Sequence, residues 1–213
     1  TLRNPAVPDY PYRRELEWLR DFAAVLEAGR GKADTVDRVD YNFKLDGERI
    51  SIVPRKRGSP IDKVVSELMI FANAHWGGWL AEHGVPGVYR SQASLAPGIK
   101  VRMGIKPQPH AGMGVAQYAW STSPLRRYVD LVNQWQIIAC ARHGRTAALA
   151  APFKPKDAML FSIVSSFDAA YSAYGDFQHG IERYWTIQHL AQQGLTELDA
   201  VVMKDGLVRA DNL

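Results

Sequence analysis

Residues 121–130 read STSPLRRYVD, and the middle of the chain turns on how they are understood. Locally they are a helix start: Ser123 is a good N-cap, and Pro124 suits the first helical position. Arg126 and Arg127 follow at once, although a helix start carries about half a positive charge and disfavours cations by a few tenths to about 1 kcal/mol. The pattern calls for a compensating anion, and the free N–H groups of a helix start bind phosphate.

Working outward, the helix is expected to run to about residue 142. Leu125, Tyr128, Val129, Val132, Trp135 and Ala139 share its apolar face; Arg126, Asp130 and Asn133 share a polar face, with Arg127 on the far margin. Two readings stand side by side. In the first, Arg126 pairs with Asp130 at i, i+4 on a solvated surface, for a few tenths of a kcal/mol. In the second, Arg126 and the helix start hold a phosphate, matched by the planar fork of the guanidinium.

The flanking sequence predicts mixed helix and strand. An amphipathic helix over 13–29 carries Leu16, Leu19, Ala23 and Leu26 on its stripe and ends at Gly29, after an extended, proline-bearing lead-in over 1–12. Strands within 35–54 turn at Asp46-Gly47. A basic loop, 54–60, leads into a long helix, 61–84. Residues 84–115, rich in Gly and Pro, read as irregular, with a short strand near 99–103. After the 121–142 region come a linker (GRTAALAAPFKP), helices over about 156–174 and 176–193, and a terminal hairpin turning at Lys204-Asp205-Gly206.

The chain has 213 residues, 46% hydrophobic and 23% charged, with net charge +4. That is an ordinary globular composition with a slight lean towards an anionic partner. One cysteine, Cys140, excludes an internal disulfide framework and fits a reducing, cytoplasmic location. No apolar run is long enough for a membrane span, so no membrane partner is expected. The opening lacks a starting Met and a signal-peptide pattern, which predicts a piece of a longer protein.

Within the long helix, SELMIFANAHWGGW is apolar almost all round and is expected to be buried on most sides. Glu67 sits among Val64, Ile70, Phe71 and Ala74, where a carboxylate needs a partner. That partner is either an arginine, in a structural ion pair, or a ligand hydroxyl. Asn73, on another face, reads as a structural hydrogen-bonder, and Cys140 reads as core. Metal signals are weak: Asp34, Asp37 and Asp40 read as solvated, and His110 lacks a neighbouring His or Cys. No Gly-rich phosphate loop is present.

Three blocks together resemble the RNase II, or RNB-domain, exoribonucleases, which degrade RNA processively from the 3′ end. They are VDYNFKLDGERISI, SPIDKVVSELMIFAN…GVPGVYRSQ, and PHAGMGVAQYAWSTSPLRRYVDLVNQWQI. The resemblance implies an α+β fold, an RNB-like mixed sheet or partial barrel packed with long helices. Residues 1–193 would be the C-terminal part of the catalytic domain, and 194–213 the start of an OB-fold RNA-binding domain. It further implies Mg²⁺-dependent hydrolysis of single-stranded RNA to nucleoside 5′-monophosphates by the full-length parent. The family's metal-binding aspartates lie upstream of the first helix, so the ligands are expected outside this chain, which alone should be inactive. Arg126 would contact the scissile phosphate and be essential for cleavage. Glu67 would bind the ribose 2′-OH. Thr122, Ser123 and Tyr128 would shape the phosphate site, with Arg127 beside them on the RNA, and Phe43 would stack on terminal bases. Gln134-Trp135 stand where many members have His-Arg, and no role is carried to them. The alternative function is a non-catalytic RNB-like RNA-binding module. Protein partners are not implied.

Overall fold

The computed structural model describes residues 10–31, 39–56, 58–96, 98–202 and 208–210. The expected lead-in up to residue 9, Asp34, Asp37 and the predicted turn at 204–206 lie outside them. Helix α1 spans Arg13–Arg30 and ends where Gly31 adopts φ +63°, its N–H bonding Ala28 O. The stop is thus Gly31 rather than Gly29. The left-handed closing position suits glycine, and the slightly longer helix carries Arg30 to its partner on the next helix.

Strands β1 (Val39–Asp46) and β2 (Arg49–Lys56) form an antiparallel hairpin, pairing Asp46 with Arg49 and Phe43 with Ile52. The turn residues are therefore Gly47 and Glu48, with Gly47 at φ +57°. β2 also takes the first residues of the expected basic loop. Helix α2, Pro60–Glu82, buries Val64, Glu67, Ile70, Asn73, Gly77 and Leu80. Burial is thus confined to one stripe at spacings of three and four, while Val65, Met69 and Phe71 are exposed. The expectation of burial on most sides is corrected accordingly. Gly77 is required there: an added Cβ would lie 3.2 Å from Ala119 N, so only glycine lets that backbone approach without a shift.

Two short strands, β3 (Tyr89–Ser91) and β4 (Arg102–Gly104), pair antiparallel within the irregular region. Helix α3 spans only Tyr128–His143. Ser123 is not its N-cap: Ser123–Arg127 makes a turn of its own, with the N–H groups of Arg126 and Arg127 reaching Ser123 O at 3.3 and 3.1 Å. The expected faces are corrected too. Asp130 and Asn133 are fully buried, whereas Leu125 is fully exposed and Tyr128 about half exposed.

The expected linker after α3 is ordered instead, as a 3₁₀ turn (Gly144–Thr146) and α4 (Ala147–Ala150). Ala147, Ala151 and Phe153 are buried. Gln136 of α3 holds this segment, accepting from Phe153 N at 3.1 Å and donating to Phe153 O at 3.0 Å and Pro86 O at 2.8 Å. Asp157 caps α5 (Ala158–Gln192), accepting from Met159 N at 2.7 Å. The two expected helices are thus one, running through Gly175; a helical glycine costs only about 1 kcal/mol. Finally β5 (Ala200–Val202) pairs antiparallel with β6 (Val208–Ala210).

Helix makes up 54% and strand 15%, so the class is α+β. Among the described residues the strands form three separate two-stranded sheets. Two compact units emerge, one from Thr1–Asp34 and Pro60–Ala170, the other from Thr35–Ser59 and Tyr171–Leu213. The division between these units falls inside α5. The first unit holds a core around Val88, Trp120, Val129, Val132 and Leu160, and a second around Leu80, Val85 and Cys140. In the second unit, Gln192 and His189 of α5 bond the backbone of β2: Ile50 N donates to Gln192 Oε1 at 3.1 Å, and His189 Nδ1 lies 3.0 Å from Ile50 O. No described helix is long and apolar enough to cross a membrane.

Candidate functional site

Residues 118–123 run as an irregular strand whose backbone groups must find partners once buried. Three buried or half-buried amides supply them. Asn73 of α2 accepts from Ser121 N at 3.0 Å and donates to Tyr118 Oη at 3.0 Å and Thr122 Oγ1 at 3.3 Å. Asn133 of α3 accepts from Val88 N at 2.7 Å and donates to Val88 O and Trp120 O. Gln134 donates to Ser121 O at 2.9 Å. Asn73 is the structural hydrogen-bonder its position predicted. The polar side of α3 is buried because the irregular strand needs it.

The stretch ends on the arginine pair. Arg127, not Arg126, pairs with Asp130: Nε reaches Oδ2 at 2.8 Å and a terminal nitrogen reaches Oδ1 at 2.6 Å. Asp130 Oδ1 also accepts from Ser123 N at 2.8 Å. The Arg127 guanidinium lies 4.2 Å from the centre of the Trp120 ring, and that of Arg90 lies 4.4 Å from it. The expected Arg126–Asp130 surface pair does not form. The anion compensating Arg127 is internal, in the first turn of α3 where the helix dipole also favours it. Arg126 is exposed; its guanidinium is 3.4 Å from Ser123 Oγ, and among the described residues it pairs with no carboxylate. Tyr128 is half exposed and packs edge-on to Trp135 at 6.1 Å.

Glu67, 4% exposed, meets Arg30 from the end of α1. Nε donates to Oε2 at 3.0 Å, a terminal nitrogen donates to Oε1, and the other reaches Met113 O. Both carboxylate oxygens therefore have a protein partner, as the structural reading required. An ionised carboxylate offers about four acceptor sites, so two are not taken by Arg30.

His110 is buried beside Tyr118, with ring centres 5.8 Å apart, and its Nδ1 accepts from Met113 N at 3.3 Å. Burial first, and the nearby charge of Arg90 second, hold its pKa below 6.5. A depressed folded-state pKa contributes stability above the unfolded value that is lost as pH falls through the folded one. Thermal stability should therefore decline as pH drops below 6.5, and His110→Gln should flatten that part of the profile. An unchanged slope in the variant would assign the decline to other groups. Cys140 is buried, and burial pushes its thiol up, consistent with a core residue.

The RNB domain family model matches residues 3–101 and 99–143. The chain belongs to the RNB domain family. It is 29% identical over 205 residues, covering 85% of its length and 29% of the relative's, to an uncharacterized ribonuclease of Synechocystis sp.. To the mitochondrial exoribonuclease II of Saccharomyces cerevisiae it is 26% identical over 240 residues, covering 93% of this chain and 24% of that one. The chain thus spans under a third of the length of these relatives. Its fold is similar to the Dss1 exoribonuclease of Candida glabrata, solved as an active-site mutant. The TM-score is 0.77 at 23% identity, over 97% of this chain and 31% of that one. It is also similar to RNase R of Mycoplasma genitalium, solved with ribose-methylated single-stranded RNA. There the TM-score is 0.72 at 15% identity, over 99% and 42%.

In this RNB chain the first unit brings Arg126, Arg127, Thr122, Ser123 and Tyr128 to one turn. Glu67 lies on α2 with Arg30. Phe43 belongs to the second unit, where it lines a cavity of about 570 Å³ with Asp40, Tyr41, His179, Glu182 and Arg183. Sequence reading missed Arg30, Arg90 and Trp120. Arg90 and Trp120 both lie within the blocks that carry the family resemblance, whereas Arg30 gave no local signal. Among the described residues no group of three or more His, Cys, Asp or Glu is placed to hold a metal ion. The donors among the described residues do not make a Mg²⁺ site.

Proposed function

We propose that this RNB chain is the RNA-contacting part of a 3′–5′ exoribonuclease that hydrolyses single-stranded RNA to nucleoside 5′-monophosphates. The observation that carries the reading is Arg126, left exposed and without a carboxylate partner among the described residues, on a turn held from beneath by buried side chains. Its guanidinium would bond the scissile phosphate and stabilise charge developing there. Thr122, Ser123 and Tyr128 would border that phosphate. Arg127, already bonded to Asp130, would support the turn rather than grip RNA. Glu67 would accept from a ribose 2′-OH on the acceptor sites Arg30 leaves, and Phe43 would stack on a base. Mg²⁺ would be held by residues outside this chain, and residues 194–213 would open an OB-fold. A reducing, cytoplasmic location fits the single buried thiol, although the relatives include proteins named as mitochondrial and chloroplastic.

The lack of a metal-ligand cluster among the described residues favours a second reading, a non-catalytic RNA-binding module. One experiment tests both. Single-stranded poly(A) is offered in Mg²⁺ to this chain and to the full-length parent, and binding is followed against salt. The chain should bind, weakening steeply as salt rises because phosphate contacts release counterions, and should release no mononucleotide. The parent should release 5′-AMP. A parent that binds without cutting establishes the module. Absence of binding at low salt sinks both readings, and hydrolysis by the chain alone would place the metal ligands within it.

A further inference from the structure

We propose that Asp130 is a positioning residue that sets the direction of Arg126; this rests on the reading of Arg126 as a phosphate contact. Asp130 is fully buried at the start of α3. One carboxylate closes the 123–127 turn at both ends. At the near end Oδ1 accepts from Ser123 N at 2.8 Å, and at the far end both oxygens accept from the Arg127 guanidinium at 2.6 and 2.8 Å. Within the turn, Ser123 O accepts from Arg126 N and Arg127 N. Trp120, itself buried, gives the Arg127 guanidinium a flat surface 4.2 Å away.

The two neighbouring arginines thus do different work. Arg127 is consumed by the interior, and its bonds stop the turn from rotating about its own ends. Arg126 has no such tether. Its backbone is fixed on both sides, and its side chain is what remains for a ligand. A fork that must meet two phosphate oxygens tolerates little misplacement; an error near 1 Å can cost about 100-fold in rate. Asn is the informative substitution at 130. It still offers one oxygen to Ser123 N and to a terminal nitrogen of Arg127, but its NH₂ replaces the oxygen that Arg127 Nε bonds, and two donors then face each other. Arg127 would leave Trp120 and the turn would lose its far anchor.

The test is a double-mutant cycle in the full-length parent, reading single-turnover cleavage of single-stranded RNA, RNA affinity and thermal unfolding. Asp130→Asn should lower the cleavage rate by roughly 10- to 100-fold, with RNA affinity changed by less than about threefold because other phosphate contacts persist. In an Arg126→Ala background the same substitution should change the rate by less than about twofold, since the group it positions is gone. Equal losses in both backgrounds would make Asp130 merely structural and overturn the proposal, as would a wild-type rate for Asp130→Asn. Arg127→Lys probes the same link should Asp130→Asn not fold: it keeps the charge, loses the planar fork, and should show the same dependence on Arg126. If Arg126→Ala itself alters neither cleavage nor binding, the phosphate reading fails first, and the positioning role falls with it.

Discussion

Arg126→Lys in the full-length protein should lower the cleavage rate by roughly two to three orders of magnitude, the scale of losing one preorganised transition-state donor. Thermal stability stays within about 0.5 kcal/mol, as for other surface changes. The two expectations have separate warrants. Stability is spared because Arg126 is exposed and its guanidinium contacts only Ser123 Oγ, at 3.4 Å, among the described residues. Rate is not spared because lysine keeps the charge and loses the planar two-pronged geometry. RNA affinity falls much less, since contacts along the strand are many. Single-turnover cleavage measured beside equilibrium binding separates the outcomes. Wild-type cleavage by the lysine variant would remove Arg126 from catalysis, and equal losses of rate and binding would leave it a docking contact. At Arg127 the pattern inverts: its bonds are to Asp130, so substitution there acts first on the turn.

Glu67→Ala should destabilise the folded chain by about 3–5 kcal/mol, the usual cost of breaking a buried ion pair from one side. The Arg30 side chain left behind is only 15% exposed, and its fork would face an apolar hole. Removing both charges together, as Arg30→Met with Glu67→Leu, should cost far less, because no buried charge is then stranded. Denaturant unfolding of the three variants checks this. The ribose role is read separately, from preference for RNA over DNA in the full-length protein, since a site built around a hydroxyl rejects a substrate lacking it. A Glu67→Ala protein of unchanged stability but weakened preference would show that the carboxylate serves the sugar and not the fold. A destabilised one with preference intact would show the reverse.

How legible these features were depends on the range of the forces involved. The β1–β2 hairpin, α1, the long α2 and the core position of Cys140 follow from local periodicity and turn chemistry, and the structure contains them all. At the start of α3 the expectation and the structure differ, because Ser123 and Pro124 are good local signals for a helix that begins later. Asp130, seven residues on, accepts from Ser123 N, and the 123–127 turn precedes a helix that starts at Tyr128. The same local logic places Asp130 and Asn133 on a polar face and cannot tell whether that face is solvated. They are buried because the irregular strand at 118–123 carries backbone groups that only side chains could satisfy. Gly175 did not end α5, a case where a weak propensity lost to the continuity of a 35-residue helix.

By itself, the sequence determined that the chain is α+β and that its motif belongs with the RNB exoribonucleases. These are properties of residue type and near-neighbour spacing. Only the tertiary structure decided which charge meets which. Asp130 takes Arg127 and leaves Arg126 outward, and Glu67 takes Arg30 from 37 positions away. The reason is physical: a buried charge is stable only against a partner in the right place. For Glu67 that place is set by how two helices pack, and for Asp130 the i, i+3 spacing offers Arg127 but burial of the carboxylate decides that the pair forms.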